Sequence, residues 1–176
     1  FVICVVSGGV LGLVYNATKD PIAAAEKAKK TEAIKNVLPE FKELKDVNVK
    51  SAMEDVELPF HLAYDANGNF IGAAVETFTN KGFSGNISLM VGILADGTVN
   101  NISVLQHAET PGLGSKMSEP SFKDQFNNKH ADSFNFNVKK DGGDVDAITA
   151  ATISSRAFCD AVNRAISTFE NNKGGF

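Results

Sequence analysis

Phe1 to Tyr15, FVICVVSGGVLGLVY, carries no charged residue. Three destinations compete for such a run: the C-terminal part of a membrane helix, the core of a signal peptide, or a buried strand. A spanning helix needs roughly 20 apolar residues, and a signal peptide is normally removed. Gly8, Gly9 and Gly12 argue against a strand and are common in membrane helices. In that reading residues 1–16 are the C-terminal part of an anchor helix, and Tyr15 lies near the interface.

The 176 residues suit one globular domain plus an extension. At 43% hydrophobic residues there is enough apolar surface for a core, and 13 Phe supply bulk in a chain without Trp. Net charge is −4, with no basic patch interleaved with aromatics, which argues against a nucleic-acid partner. Lys27-Ala28-Lys29-Lys30 reads as the solvated face of a helix. Cys4 and Cys159 are too few for a metal site and are not expected to pair; Cys159 reads as a small core residue. His61, His107 and His130 show no ligand spacing, so no metal centre is expected.

Asp20-Pro21 has the form of a helix start, with Pro in the first turn. Ile22 to Val37 reads as a mostly polar helix, favoured by its Ala and Lys content, ending near Leu38-Pro39. It acts as a stalk or packs on the domain edge. Residues 41–58 show no clear pattern, so 17–58 is read as a stalk and connector and 59–176 as the main domain. Phe60–Tyr64 and Asn69–Phe78 flank the turn signal Asp65-Ala66-Asn67-Gly68. Ile87–Leu94 and Thr98–Gln106 flank Asp96-Gly97, a hairpin signal. Val99, Ile102, Val104 and Leu105 do not alternate cleanly, which predicts a bulge or an edge position. A short helix is expected over Ser118–Phe126. Further strands are expected at Phe134–Val138 and Val145–Ile148.

Two segments carry candidate chemistry. In Asp146-Ala147-Ile148-Thr149-Ala150-Ala151-Thr152-Ile153-Ser154-Ser155, hydroxyls stand between an apolar stretch and an amphipathic helix. The apolar face of that helix is Ala157, Phe158, Ala161, Val162, Ala165, Ile166 and Phe169. Thr152 then falls at the first turn, where unpaired N–H groups and the helix dipole suit a phosphate; the plainer reading is that Thr152, Ser154 and Ser155 cap the helix. In His107-Ala108-Glu109-Thr110-Pro111-Gly112-Leu113-Gly114, Pro111 fixes φ while Gly112 and Gly114 permit positive φ and close approach to a planar ring. Leu113 offers an apolar contact, and Glu109 and Thr110 offer polar groups. The plainer reading there is a Pro-Gly turn. Gly112-Leu113-Gly114 lacks the third glycine and the strand–helix setting of a dinucleotide fingerprint, so NADH is not expected to bind.

Asp146-x-x-Thr149-x-Ala151-Thr152 and His107-x-Glu109-Thr110-Pro111-Gly112-Leu113-Gly114 together resemble the FMN-binding domain family. The resemblance extends more loosely from about Phe60 to Phe169. The family includes the G subunit of Rnf-type complexes and the C subunit of the sodium-pumping NADH:quinone oxidoreductase. In that family the last threonine of the first motif carries FMN through a phosphoester bond, so the implied acceptor here is Thr152. One departure is Ala150, where the family usually has Gly; it adds a methyl at a position where glycine permits close backbone approach.

The resemblance implies an α+β fold, an antiparallel sheet with flanking helices, preceded by an N-terminal transmembrane helix. It implies that the Thr110 to Gly114 loop folds against the flavin, with Glu109 beside it. Asp146 and Thr149 would organise the attachment segment around Ala151 and Thr152, Asp146 serving recognition by a metal-dependent FMN transferase or simply a turn. Lys116 would face the flavin or solvent. No catalytic residue is expected.

The implied function is a membrane-anchored electron carrier in an Rnf-type ion-translocating ferredoxin:NAD+ oxidoreductase. Its partners would be the other membrane subunits, with their flavin and iron–sulfur centres, and the lipid bilayer. The quinone-reductase C subunit is the alternative. The resemblance places the soluble domain outside the cytoplasmic membrane, although the lysines after the anchor weakly suggest the opposite side. Two readings from other classes are weaker. A Ser/Thr hydrolase would need a base near Thr152, and no His lies near it in sequence. A scaffold without flavin would have no use for the intact Thr152.

Overall fold

The computed structural model describes residues 2–176, which divide into two compact units, one ending at Glu32 and one comprising Ala33–Phe176. Helix α1 spans Val2–Val37 with Pro21 inside it. The helix start expected at Asp20-Pro21 is therefore absent, and the anchor segment and the polar helix are continuous. A proline in a helix interior costs roughly 3 kcal/mol, which the Ala- and Lys-rich run that follows it, Ala23 to Lys30, helps to offset. The strand reading of the uncharged run is excluded by the same helix. Among the described residues α1 is the one helix long and apolar enough to cross a membrane; its most apolar window has a mean hydropathy of 1.4 and none of it is buried.

The second unit is built on a five-stranded antiparallel sheet in the order β1-β2-β3-β4-β5. The strands are Glu43–Lys50, Glu57–Tyr64, Phe70–Gly82, Gly85–Leu94 and Val99–His107. Both expected turns are present. Asp65 accepts the N–H groups of Asn67 and Asn69 with one carboxylate oxygen, at 2.7 and 2.9 Å, and Gly68 takes φ +81°. At the second, Gly97 takes φ +99° and Asp96 accepts the Thr98 N–H at 2.8 Å. The broken alternation of β5 corresponds to two register shifts against β4, at Ser88/Leu89 and Gly92/Ile93.

Helix α3, Thr152–Asn172, packs on one face of the sheet, and every residue of its expected apolar face is buried. Phe158 meets Phe122 and Phe126 with ring centroids 5.2 and 5.0 Å apart. Cys159 is buried, as expected. On the opposite face Ala33, Ile34, Val37 and Leu38 pack with Ala63, Ala74, Met90 and Leu105. The sheet is thus covered on both sides, as a layered α+β domain requires.

Three local expectations change. Residues 41–58 supply β1 and the start of β2; along β1 only Val49 is buried, so this edge strand has no alternation to read. Phe134–Val138 and Val145–Ile148 are not strands and share only one isolated bridge, Val138 to Val145. Side-chain bonds hold that region instead: the Asn135 N–H donates to Asp144 at 2.7 Å, and the Asn135 amide to the Gly142 carbonyl at 3.2 Å. The helix expected at 118–126 is broken into a four-residue α2, Pro120–Lys123, between 3-10 turns.

Buried Arg164 on α3 ties down the loop before β2 with two hydrogen bonds to Glu54, at 2.7 and 2.9 Å, which hold the Glu54 carboxyl below its ordinary range. On the other face Gly92 of β4 meets the main chain of Val37. A Cβ at Gly92 would lie 2.9 Å from the Val37 Cβ and closer still to its carbonyl. Gly92→Ala is expected to destabilise the sheet unit by about 1–3 kcal/mol, measured by urea unfolding of the full chain in detergent.

Candidate functional site

Strand β5 ends at His107 and delivers the chain into the Pro-Gly loop. The His107 ring nitrogen Nδ1 accepts the Glu109 N–H at 3.2 Å, and the loop closes on itself through Leu113 N–H to Thr110 O at 3.1 Å and Gly112 N–H to the Ser115 hydroxyl at 2.9 Å. Gly112 takes φ +76°, as this turn requires. Glu109 points inward and is only 4% exposed. Its Oε1 accepts the main-chain N–H of Ser84, in the β3–β4 turn, at 2.9 Å. Its Oε2 accepts the Ser154 hydroxyl, in the first turn of α3, at 2.5 Å. Gly114 must lack a side chain, because a Cβ would lie 2.6 Å from the Ser154 Oγ.

The start of α3 is held without a side-chain cap. Its cap residue is Ala151, and Thr152 is the first helical residue. The expected capping by Thr152, Ser154 and Ser155 does not occur. Ser154 is committed to Glu109. The Ser155 hydroxyl donates to the Ala151 carbonyl at 3.0 Å and accepts the Ile148 N–H at 2.9 Å, bracing the preceding turn. That turn closes with Ala151 N–H to Ile148 O at 3.0 Å and places Ala150 at φ +61°. A positive φ at the third position of a four-residue turn is where glycine is preferred, so the Ala150 methyl adds strain of its own backbone, with no clash needed. The first N–H groups of the helix have no intrahelical acceptor, and no side chain caps them.

These elements enclose an open cleft of about 320 Å³, lined by Glu109, Thr110, Leu113 and Gly114 from the loop, by 150–154 from the turn and helix, and by Phe83. The volume is at the lower end of small-molecule sites, about 300–1,000 Å³. Of the residues singled out in the sequence, Glu109, Thr110, Leu113, Gly114, Ala151 and Thr152 come together here. Pro111 and Gly112 are exposed on the outer side of the loop and Lys116 is exposed beyond it; none of the three lines the cleft. Asp146 and Thr149 are also exposed and outside it, and Asp146 pairs with Lys139 at 2.8 Å. Phe83, Ser84 and the roles of Ile153 and Ser154 escaped the sequence reading. The available signal was the aromatic in Gly82-Phe83-Ser84-Gly85, at a hairpin turn where side chains are usually solvent-facing; Phe83 is 68% exposed.

Chemically the cleft combines a polar floor with an apolar rim, and no Lys, Arg or His is among its lining residues. The features fit an FMN: an uncapped helix start for its phosphate, glycine backbone at close range, and apolar side chains for a ring. A second hollow, of about 370 Å³, lies along α3 and is lined by Lys81, Asp141, Arg156 and Asp160 among others. Its charges are paired. Arg156 grips Asp141 at 2.7 and 2.8 Å and holds its carboxyl low. Burial pushes the Asp160 carboxyl up, but hydrogen bonds from Lys81 at 2.6 Å and Thr79 at 2.7 Å outweigh it, leaving a net lowering. Burial pushes the adjacent Cys159 thiol up to about 12, so it is not a nucleophile at neutral pH.

Ala150→Gly is expected to stabilise the protein by up to about 1 kcal/mol, the left-handed cost removed less the entropy glycine adds. Glu109→Ala is expected to cost about 2–3 kcal/mol, since it strips two hydrogen bonds and leaves the buried Ser154 hydroxyl without its partner; Glu109→Gln should cost clearly less. Urea unfolding of the three variants beside the parent chain checks both.

The sequence profile of the FMN-binding domain matches residues 82–167, which contain the whole cleft. The chain is 35% identical over 98% of its length, and 92% of the relative's, to the G subunit of the ion-translocating oxidoreductase complex of Methanosarcina acetivorans. It is 36% identical to the corresponding G subunit of Aliivibrio fischeri, over 88% of this chain and 79% of that one. It is 33% identical to the G subunit of the Na(+)-translocating ferredoxin:NAD(+) oxidoreductase complex of Acetobacterium woodii, over 97% and 88%. The crystal structure of Shewanella oneidensis NqrC is similar in fold, with a TM-score of 0.54 at 20% identity over 82% of this chain and 73% of that one. With its FMN-binding domain and its near full-length likeness to these proteins, the chain belongs to the family of G subunits of ion-translocating oxidoreductase complexes.

Proposed function

We propose that this chain is a covalently flavinylated electron carrier of an Rnf-type complex, with FMN held as a phosphoester on Thr152. The observation that carries the reading is the position of Thr152. It is the first residue of α3, and it lines the cleft that brings the two motif segments together. Helix-start N–H groups suit the phosphate there. The lack of cationic lining residues favours a tether over free binding. A free phosphate monoester would enter beside a buried carboxylate with no positive side chain to offset its charge, whereas an esterified phosphate carries less charge and stays by its bond.

FMN, when bound, takes up and passes on one or two electrons. The chain's own residues hold and orient it. Thr152 fixes one end, Gly114 and Thr110 offer backbone and hydroxyl at close range, and Glu109 keeps the loop in register with the helix. Asp146 and Thr149, exposed and outside the cleft lining, serve recognition by the FMN transferase rather than contact with the cofactor in this reading. Lys116 is likewise a solvated group in this reading.

The apolar part of α1 anchors the chain once in the cytoplasmic membrane, with the second unit on the extracytoplasmic side. The partners are the other subunits of the complex, which exchange electrons with the flavin through their own flavin and iron–sulfur centres. The full-length identity to G subunits favours this assignment over the quinone-reductase C subunit, since the likeness to NqrC extends to the fold alone.

Intact mass spectrometry of the chain produced together with an FMN transferase tests the attachment. The mass should rise by one FMN minus water, and Thr152→Ala should abolish the rise. An adduct persisting on Thr152→Val would place the bond elsewhere, and an unmodified parent chain would overturn the flavin reading altogether.

A further inference from the structure

We infer that Phe83 is a wall of the flavin site, the aromatic face against which the isoalloxazine ring stacks. The inference rests on the reading of the cleft as an FMN site and names a contact that neither motif contains. Among the described residues, the exposed large apolar side chains of the second unit are Leu44, Val47, Met53, Phe83, Leu113 and Ile153. Three of the six, Phe83, Leu113 and Ile153, line this one cleft, at 68%, 41% and 50% exposure. They come from three different elements: the β3–β4 turn, the Pro-Gly loop and the first turn of α3. Isolated exposed apolar residues are ordinary, but a convergent set around a polar floor marks a ligand surface.

Phe83 is also held in place rather than left loose. Its turn pairs Gly82 with Gly85, and Gly85 takes φ +109°. The next residue, Ser84, donates its N–H to Glu109, the same carboxylate that binds Ser154. Gly82 can have no side chain, because a Cβ would lie 2.8 Å from the Glu109 Oε1. The turn carrying Phe83 is thus fixed to the loop carrying Leu113 and to the helix start carrying Thr152. A ring tethered at Thr152 has apolar side chains from all three elements within its cleft, and Phe83 is the only aromatic among them. Aromatic faces prefer offset stacking on other π systems.

The test uses the absence of tryptophan from the chain. An indole stacked on a flavin quenches its fluorescence by donating an electron to the excited ring; phenylalanine does not, and neither Tyr15 nor Tyr64 lines the cleft. Phe83→Trp is produced as the full chain with the FMN transferase, in detergent, beside the parent chain and a Leu44→Trp control on exposed β1. Equal loading is first established by intact mass. The expected result is flavin emission at least several-fold dimmer in Phe83→Trp than in the parent and in Leu44→Trp, with a shortened lifetime. Phe83→Ala should load normally and show lower flavin fluorescence anisotropy. Normal loading with emission as bright as the parent's in Phe83→Trp, or anisotropy unchanged in Phe83→Ala, overturns the inference while leaving the tether standing. A parent chain without the adduct overturns the flavin reading itself.

Discussion

The Glu109 carboxylate joins three stretches of chain that are far apart in sequence. One oxygen accepts from the Ser84 main chain at the edge of the turn, and the other from the buried Ser154 hydroxyl. An ionised group with little exposure is tolerated only where its lone pairs are satisfied. Here that requirement fixes geometry: the β3–β4 turn, the loop after β5 and the start of α3 must sit at hydrogen-bonding distance from one side chain. Gly82 and Gly114 are the steric counterpart, two positions where a methyl would intrude on the same carboxylate. The cleft exists because these three elements cannot drift apart.

Around that clamp, the scaffold does what a rigid support must. The meander sheet is covered by α3 on one face and by Ala33, Ile34, Val37 and Leu38 on the other, and β5 runs directly into the loop. The helix start is left open by its own local chemistry. Of the three hydroxyls available for capping, one is taken by Glu109, one braces the turn at Ile148, and Thr152 is left facing the cleft. Hydroxyl-rich helix starts normally satisfy their own N–H groups; this one does not.

Much of this was legible in the residues. The Asp96-Gly97 and Asp65–Gly68 turns announce themselves through side chains that bond their own backbone, and the α3 face through its 3.6-residue period. The two motifs placed Thr152 and Glu109 in one site because each has a distinctive residue order. What stayed hidden lacks such a signature. Strand β1 has a single buried residue, so no alternation exists to be read. Phe134–Val138 and Val145–Ile148 are apolar enough for strands, yet Asn135 and Asp144 satisfy the backbone locally and displace the ladder. Pro21 suggested a boundary that the helix-forming run after it overrides. Phe83 belongs to no motif, and Ser154 resembles a cap until Glu109 is seen beside it; both acquire their meaning only from a partner many residues away.

Under the proposed tether, the missing cationic side chains in the cleft have a consequence for how the site stays loaded. A pocket that gripped phosphate through lysine or arginine would trade its occupant with whatever nucleotides surround it, and its occupancy would follow their concentration. A pocket poor in attraction but closed by a chemical bond does neither. With a flavin esterified in this way, stoichiometry would be set once, at assembly, and would not depend on how dilute flavin is in the surroundings.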